Sequence, residues 1–248
     1  MQKIPELVCP AGNLPALKTA VDNGADTVYM GLKDATNARN FPGLNFDMKS
    51  AREGVAYAHA RGRNVLMAIN TFAQAGQVER WHAAVDTAAD LGADAIIVAD
   101  PAIMAYAADK HPNLRLHMSV QGSATNYEAI NMMKELFGIR RAVLPRVLTI
   151  DQVKHVIDNT DVEIEVFGFG SLCVMVEGRC ILSSYATGES PNMQGVCSPA
   201  KSVRWEQLPD RMNVRLNQVL IDQYKPNEPA GYPTLCKGRF EVNDETYY

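Results

Sequence analysis

The chain has 248 residues, 47% of them hydrophobic and 21% charged, with a formal net charge of −4. That length suits one sizeable core or two ordinary domains, and that composition excludes wholesale disorder. An acidic balance gives no global pull toward a phosphate backbone, so nucleic acid is not the expected partner.

The chain opens with Met1-Gln2-Lys3-Ile4-Pro5-Glu6, which carries no signal-peptide pattern and runs straight into a strand-like segment. No apolar run approaches the ~18 residues of a membrane span. A cytoplasmic protein is the expectation, and in that reducing setting five cysteines are ligands, reactive thiols or core residues rather than disulfides.

Short apolar runs predict strands over 5–9, 26–31, 65–70, 94–99, 115–120, 140–144 and 163–167. Ala95-Ile96-Ile97-Val98-Ala99 is apolar at every position, as suits a parallel strand covered on both faces. Amphipathic spacing predicts helices over 13–23, 48–61, 77–91, 101–110 and 127–137, and Thr149-Ile150-Asp151-Gln152 is a capping box opening a sixth. Gly24-Ala25-Asp26 recurs as Gly92-Ala93-Asp94, 68 residues or two units of 34 later, each time with Gly stopping a helix just before a strand.

Seven strands alternating with six helices give an α/β fold, a TIM-like (β/α) barrel lacking its last β/α unit or left open, since no eighth strand and helix follow residue 167 in the pattern. We place the barrel core at 1–167. Residues 168–248 are expected to form an irregular, Cys-rich segment packed on it, with a single helix over 212–224.

Function in such a fold collects where strands end. Cys9 and Asn13 follow the first strand, Asn37 and Arg39 the second. Asn70 and Thr71 close the third and Asp100 the fourth. Gln121 and Asn126 follow the fifth, Pro145 and Arg146 the sixth, and Glu165 lies within the seventh. Arg39, Asn70, Gln121 and Arg146 are the candidate substrate-binding residues for a small, anionic, oxygen-rich molecule, because a guanidinium offers carboxylates a bidentate fork. Asn, Asp and Thr at strand ends equally serve as helix caps and turn formers. Among the histidines only His117, near the end of the fifth strand, is placed to face the mouth. No His is matched to a nucleophilic Ser or Cys, and no His-Glu-x-x-His motif occurs.

Four cysteines, Cys173, Cys180, Cys197 and Cys236, are confined to the last segment, with gaps of six, sixteen and thirty-eight residues. Each lies near Gly, which lets backbone N–H groups approach sulfur, and three lie near Lys or Arg, which offset thiolate charge. Four such thiols fit an iron–sulfur cluster, a zinc site or unrelated core cysteines. The wide gaps suit a cluster better than the short knuckles of structural zinc.

At these residues the chain resembles a known family. Phe167-Gly168-Phe169-Gly170-Ser171-Leu172-Cys173, Glu177-Gly178-Arg179-Cys180, Thr187-Gly188-Glu189-Ser190-Pro191-Asn192, Cys197-Ser198-Pro199-Ala200 and Tyr232-Pro233-Thr234-Leu235-Cys236-Lys237-Gly238-Arg239 look like the collagenase-like peptidase family U32. Gly31-Leu32-Lys33-Asp34, Thr36-Asn37-Ala38-Arg39, Ala68-Ile69-Asn70-Thr71-Phe72-Ala73 and Val143-Leu144-Pro145-Arg146-Val147-Leu148 match the subgroup that serves ubiquinone biosynthesis without O2. The resemblance implies a [4Fe–4S] cluster on Cys173, Cys180, Cys197 and Cys236. It implies a heterodimer with a UbiV-like protein, hydroxylation of a ubiquinone precursor, and a small-molecule oxygen donor such as prephenate. A lipid-binding quinone carrier would deliver the apolar substrate, and RNA hydroxylation, as in other family members, is the alternative. A third reading is a non-catalytic electron-transfer or scaffold subunit. Peptidase activity gains no support from the residues.

Overall fold

The computed structural model describes residues 4–170, 173, 175–237, 240–242 and 245–247. They form two compact units, one of residues 1–179 with 192–195, the other of 180–191 with 196–248.

The first unit is a single parallel sheet of seven strands in strict chain order: β1 (Val8–Pro10), β2 (Thr27–Gly31), β3 (Asn64–Ile69), β4 (Ala95–Val98), β5 (Arg115–Met118), β6 (Arg141–Val143) and β7 (Glu163–Glu165). Six helices make the crossovers: α1 (Leu14–Asp22), α2 (Met48–His59), α3 (Val78–Leu91), α4 (Pro101–Lys110), α5 (Tyr127–Phe137) and α6 (Ile150–Asp158). A sequential parallel sheet with a helix at each crossover curls one way, and the result is a TIM-like half-barrel. All six helices and six of the seven strands fall where the hydrophobic pattern puts them. β1 alone is displaced, starting at Val8 rather than Pro5.

The helix starts explain many of the polar strand-end residues. Asn13, Asp100, Asn126 and Thr149 each accept a backbone N–H from the first turn of the helix that follows, and Thr149 and Gln152 complete the capping box reciprocally. The repeated Gly-Ala-Asp has a physical role beyond punctuation. Gly92 takes φ +76° to end α3. The Asp94 carboxylate then accepts the Val65 N–H at 2.7 Å, while Asp26 accepts the Leu7 N–H at 2.9 Å. Each Asp thus clamps the start of the preceding strand, and each also meets a base, His59 at 2.9 Å and Arg63 at 3.0 Å.

Alternate residues of each strand face opposite sides. Val28, Met30, Val65, Met67, Ile69, Ile96, Val98, Leu116, Met118, Ala142 and Leu144 join the helices in one large core around Trp81 and Phe46. On the inner face, Val8, Tyr29, Leu66, Ala95 and Ile97 make a small apolar cluster. The inner positions of β5 to β7 are instead mostly polar, Arg115, His117, Arg141, Glu163 and Glu165, with Val143 the apolar one.

Arg141 organises that polar side. Its guanidinium meets Glu163 at 2.8 Å and Glu165 at 3.3 Å on β7, and also pairs with Glu6, just before β1. Arg115 meets Glu163 at 2.6 Å, and Glu6 accepts the Thr27 hydroxyl. Among the described residues β1 and β7 pair with one strand neighbour each, so they are the sheet's two edges. Arg141 ties the region of one edge to the other.

The second unit corrects the expectation of an irregular segment. After α7 (Leu182–Thr187) come three antiparallel strands, β8 (Val203–Gln207), β9 (Met212–Leu216) and β10 (Val219–Tyr224), in the order β10-β9-β8. A further antiparallel pair joins β11 (Phe240–Val242) to β12 (Glu245–Tyr247). The helix expected over 212–224 is therefore a hairpin. Val214 and Leu216 are buried at a spacing of two, not 3.6, and Asn217 opens a two-residue turn at φ +52°, a left-handed conformation that Asn tolerates.

Arg141 is nearly buried while Glu163 is half exposed. Arg141→Ala should therefore cost ~2–3 kcal/mol in urea denaturation, short of the about 3–5 kcal/mol for breaking a fully buried pair. The same network holds the Glu163 carboxyl down to about 2 against the opposing effect of burial, through Arg115 and Arg141. A depressed carboxyl stabilises the fold above its unfolded value. Stability should thus fall as pH drops from about 4.5 toward 2, and Glu163→Gln should flatten that limb.

Candidate functional site at the strand C-termini

The loops that follow the inner strands build a polar rim. After β2, a buried pair shapes the loop: Asn37 Nδ2 donates to Asn45 Oδ1 at 3.0 Å, and Asn45 Nδ2 donates to the Arg39 carbonyl at 2.8 Å. Asn70 joins this loop to β5. Its Oδ1 accepts the Ala38 N–H at 2.9 Å and its Nδ2 donates to Ser119 Oγ at 3.2 Å. Ser119 Oγ in turn accepts the Gln121 N–H at 3.1 Å. Asn70 and Gln121, two of the four candidate binding residues, are thus brought together through one hydroxyl.

Arg146 is held differently. It pairs with Glu177, which is 2% exposed, and its guanidinium lies 3.5 Å from the centroid of the Phe167 ring. Glu177 is fixed by its neighbours: its carbonyl accepts the Ser123 hydroxyl, and Gly178 (φ +84°) lies against the Gln121 carbonyl so closely that a Cβ would overlap it. Arg39 is exposed. Its Nη1 donates to the Ala38 carbonyl at 2.9 Å, and among the described residues it has no acidic partner.

Two rim residues escaped the sequence reading. Tyr29 occupies an inner position of β2, half buried. Burial pushes its phenol up; the charge of Arg39 opposes that, Glu165 adds to it and Arg146 opposes it. A polar aromatic at an inner strand position was the available signal. Glu177 had none, because its partner stands 31 residues away. Glu165 itself is raised, first by burial and against the pull of Arg141.

The remaining strand-end candidates have structural tasks. Besides the caps, Thr71 Oγ1 donates to the Ala35 carbonyl at 2.6 Å and accepts Trp81 Nε1–H at 3.0 Å. Pro145 is buried, and Cys9 packs toward the helix-side core. His117 faces inward but is 2% exposed, and both ring nitrogens lack a partner. Beside Arg146 opens a cleft of about 440 Å³, lined mainly by apolar groups including Leu148, Ile150, Val153, Phe167 and Phe169. Its size falls in the range of small-molecule sites.

None of the five cysteines forms a disulfide, and all are half buried. In the second unit, hydrogen bonds draw three Cys-bearing segments together. Ser183, three residues after Cys180, donates to the Cys197 carbonyl at 2.7 Å, and Ser198 donates to the Pro233 carbonyl, three residues before Cys236. Thr234 Oγ1 lies 3.3 Å from Cys236 Sγ. Cys173 belongs to the first unit. Among the described residues no three His, Cys, Asp or Glu side chains are grouped as metal ligands are. Ser171, Leu172, Gly238 and Arg239, which flank Cys173 and Cys236 in sequence, lie outside the described residues. By type, four thiols without disulfide partners fit an iron–sulfur cluster.

Two measurements probe this geometry. Burial, then Arg141 and Arg115, lower His117 from 6.5 to about 3, so the ring is neutral in the folded chain and charges on unfolding in weak acid. A depressed value means stability is full above 6.5 and is lost as pH falls toward 3; His117→Phe should remove the upper part of that loss, seen as a flatter melting temperature between about pH 6.5 and 5. Gly178→Ala should displace the Glu177 turn, with a loss of about 1–3 kcal/mol in denaturant unfolding, where Gly168→Ala, with nothing near its Cβ, should cost far less.

Comparison with known proteins places this geometry in a family. The profile of Peptidase family U32 matches residues 12–228. The chain is 35% identical over 204 residues to tRNA hydroxylation protein P1 of Bacillus subtilis (strain 168), covering 82% of this chain and 47% of that protein. It is 32% identical over 198 residues to the 23S rRNA 5-hydroxycytidine C2501 synthase of Escherichia coli (strain K12), covering 79% of this chain and 29% of that protein. Among solved structures, the U32 peptidase Mk0906 superposes with a TM-score of 0.54 at 17% identity, covering 67% of this chain and 70% of that one, which supports the barrel-like fold. The chain spans about half the length of the first curated relatives it matches, or less. Relatives named for RNA hydroxylation also remove the force of acidic net charge as an argument against nucleic acid. No helix among the described residues is long and apolar enough to cross a membrane. With this match and these relatives, the chain belongs to peptidase family U32.

Proposed function

We propose that this chain is the iron–sulfur subunit of an O2-independent hydroxylase acting on a ubiquinone precursor, with a UbiV-like partner. Cys173, Cys180, Cys197 and Cys236 would hold a [4Fe–4S] cluster, which supplies one-electron chemistry when bound. The observation that carries the substrate reading is the mainly apolar cleft at Arg146, whose Phe167 and Phe169 suit an aromatic ring with a greasy tail. The four segments resembling the ubiquinone subgroup also end at this rim: the loop after β2, the end of β3 and the turn after β6. Arg39, Asn70, Gln121 and Arg146 would orient a small oxygen donor, such as prephenate, beside the ring. A lipid-binding quinone carrier would present the substrate, since an apolar tail is costly to leave in water.

A second reading is favoured by a specific observation. Relatives aligned over roughly four-fifths of the chain are named for tRNA and rRNA hydroxylation, so the same site would serve a flipped-out base. A deletion strain grown without air separates the two. Loss of quinone with unchanged modified nucleosides supports the first, and the converse supports the second.

The cluster has its own test. Chain purified without air should contain about four iron and four sulfide and be brown, whereas a colourless zinc protein would overturn it. Cys180→Ala and Cys236→Ala should each lose most of the iron. Cys9→Ala should keep it, because Cys9 packs against the helix-side core.

A further inference from the structure

A short strap crosses the strand C-termini of the first unit. Residues 192–195 belong to that unit, although the chain on either side of them, 180–191 and 196–248, belongs to the second. The strap is held by its backbone. The Asn192 carbonyl accepts the Phe72 N–H at 2.8 Å, the Met193 carbonyl accepts Gln74 Nε2–H at 3.3 Å, and the Gly195 carbonyl accepts the Asn40 N–H at 2.9 Å. Phe72 and Gln74 follow β3 and Asn40 follows β2, so the strap bridges the loops after two neighbouring strands.

Gly195 makes the tightest seat. It is buried, takes φ +76°, and lies so near Asn37 that a Cβ would fall 2.1 Å from the Asn37 carbonyl oxygen. Asn37 is also the residue that holds Arg39, since its Oδ1 accepts the Arg39 N–H at 3.0 Å. In the other direction the strap leads straight to a thiol. Only Val196 stands between Gly195 and Cys197, and one residue spans at most ~3.6 Å, so there is little slack between the seat and the thiol. Beyond it, the Cys197 carbonyl accepts the Ser183 hydroxyl at 2.7 Å, and Ser198 donates to the Pro233 carbonyl. Cys197 is thus pinned on both flanks, and a shift of its backbone pulls on the strap.

From this continuity we infer that the strap is a mechanical coupler: a group that fixes the Cys197 sulfur tightens the loop after β2, residues 36–46, and with it Arg39, whereas release of the sulfur loosens that loop. Coupling between two sites is reciprocal, so unseating the strap also frees Cys197. A chain that has lost the cysteine-held group then presents Arg39 poorly, and substrate gathers at the rim only when that group is in place. The inference rests on the proposed function for what fills Cys197, but not for the coupling itself.

The full chain, reduced and free of metal, gives the first test, with iodoacetamide labelling read at each cysteine by mass spectrometry. Gly195→Ala should unseat the strap and speed labelling of Cys197 about tenfold, within the usual range of coupling between sites, while Cys9, packed toward the helix-side core, keeps its rate. Gln74→Ala removes one strap bond, should give a smaller rise in the same direction, and keeps the test readable if Gly195→Ala unfolds the chain. A Cys197 rate that moves no more than the Cys9 rate in either variant makes the strap ordinary packing and overturns the inference. Hydrogen exchange gives the second test. Exchange in 36–46 should slow about tenfold when iron and sulfide are loaded without air, with α5 unchanged, and Gly195→Ala should abolish the difference. Iron taken up with no change in 36–46 also overturns the coupling. Failure to take up iron removes the cluster reading instead, and the labelling result then decides the coupling by itself.

Discussion

The structure of the first unit depends on one guanidinium. A parallel sheet of seven strands that curls without closing leaves two edges, β1 and β7, and no strand pairing among the described residues connects them. Arg141 does so with side chains, pairing with Glu6 before β1 and with Glu163 and Glu165 on β7. Taking a guanidinium out of water is expensive, and three carboxylates around it offset that cost. A consequence is that the inner face is polar on this side, where a filled barrel would carry branched aliphatic residues. His117 is caught in the same environment and kept neutral, first by burial and then because a further positive charge beside Arg141 and Arg115 is unfavourable.

Above that clasp the rim is assembled by hydrogen bonds rather than by apolar packing. Asn37, Asn45 and Asn70 satisfy loop backbone groups that have no ladder to join, which fixes the loop after β2 against β3 and β5. Glycine allows the closest approaches. Gly178 meets the Gln121 carbonyl, and Gly195 meets the Asn37 carbonyl while its own carbonyl accepts the Asn40 N–H at 2.9 Å. The two rim arginines end in opposite states. Arg146 is compensated and stacked on Phe167, whereas Arg39 has no acidic partner among the described residues. An apolar cleft on one side and an uncompensated cation on the other give the rim two chemically distinct neighbours.

The cysteines belong to a different kind of construction. In the second unit, hydroxyl-to-carbonyl bonds from Ser183 and Ser198 tie α7 to the segment around Cys197 and that segment to Pro233.

The sequence by itself determined the sheet and its helices, because strand and helix periods in 1–167 are local and strong. It also determined the caps at Asn13, Asp100, Asn126 and Thr149, since a capping side chain bonds within three residues of itself. It failed at 212–224, where residues spaced both ways were read with period 3.6 and the left-handed Asn217 turn passed unseen. At the rim, strand-end position alone picked out Arg39, Asn70, Gln121 and Arg146 as candidates. Which of them keeps an unspent charge was not, because Glu177 reaches Arg146 across 31 residues and Glu6 reaches Arg141 across 135. Ion pairs and orphaned acceptors are properties of distant segments meeting, and only the tertiary fold decides who meets whom.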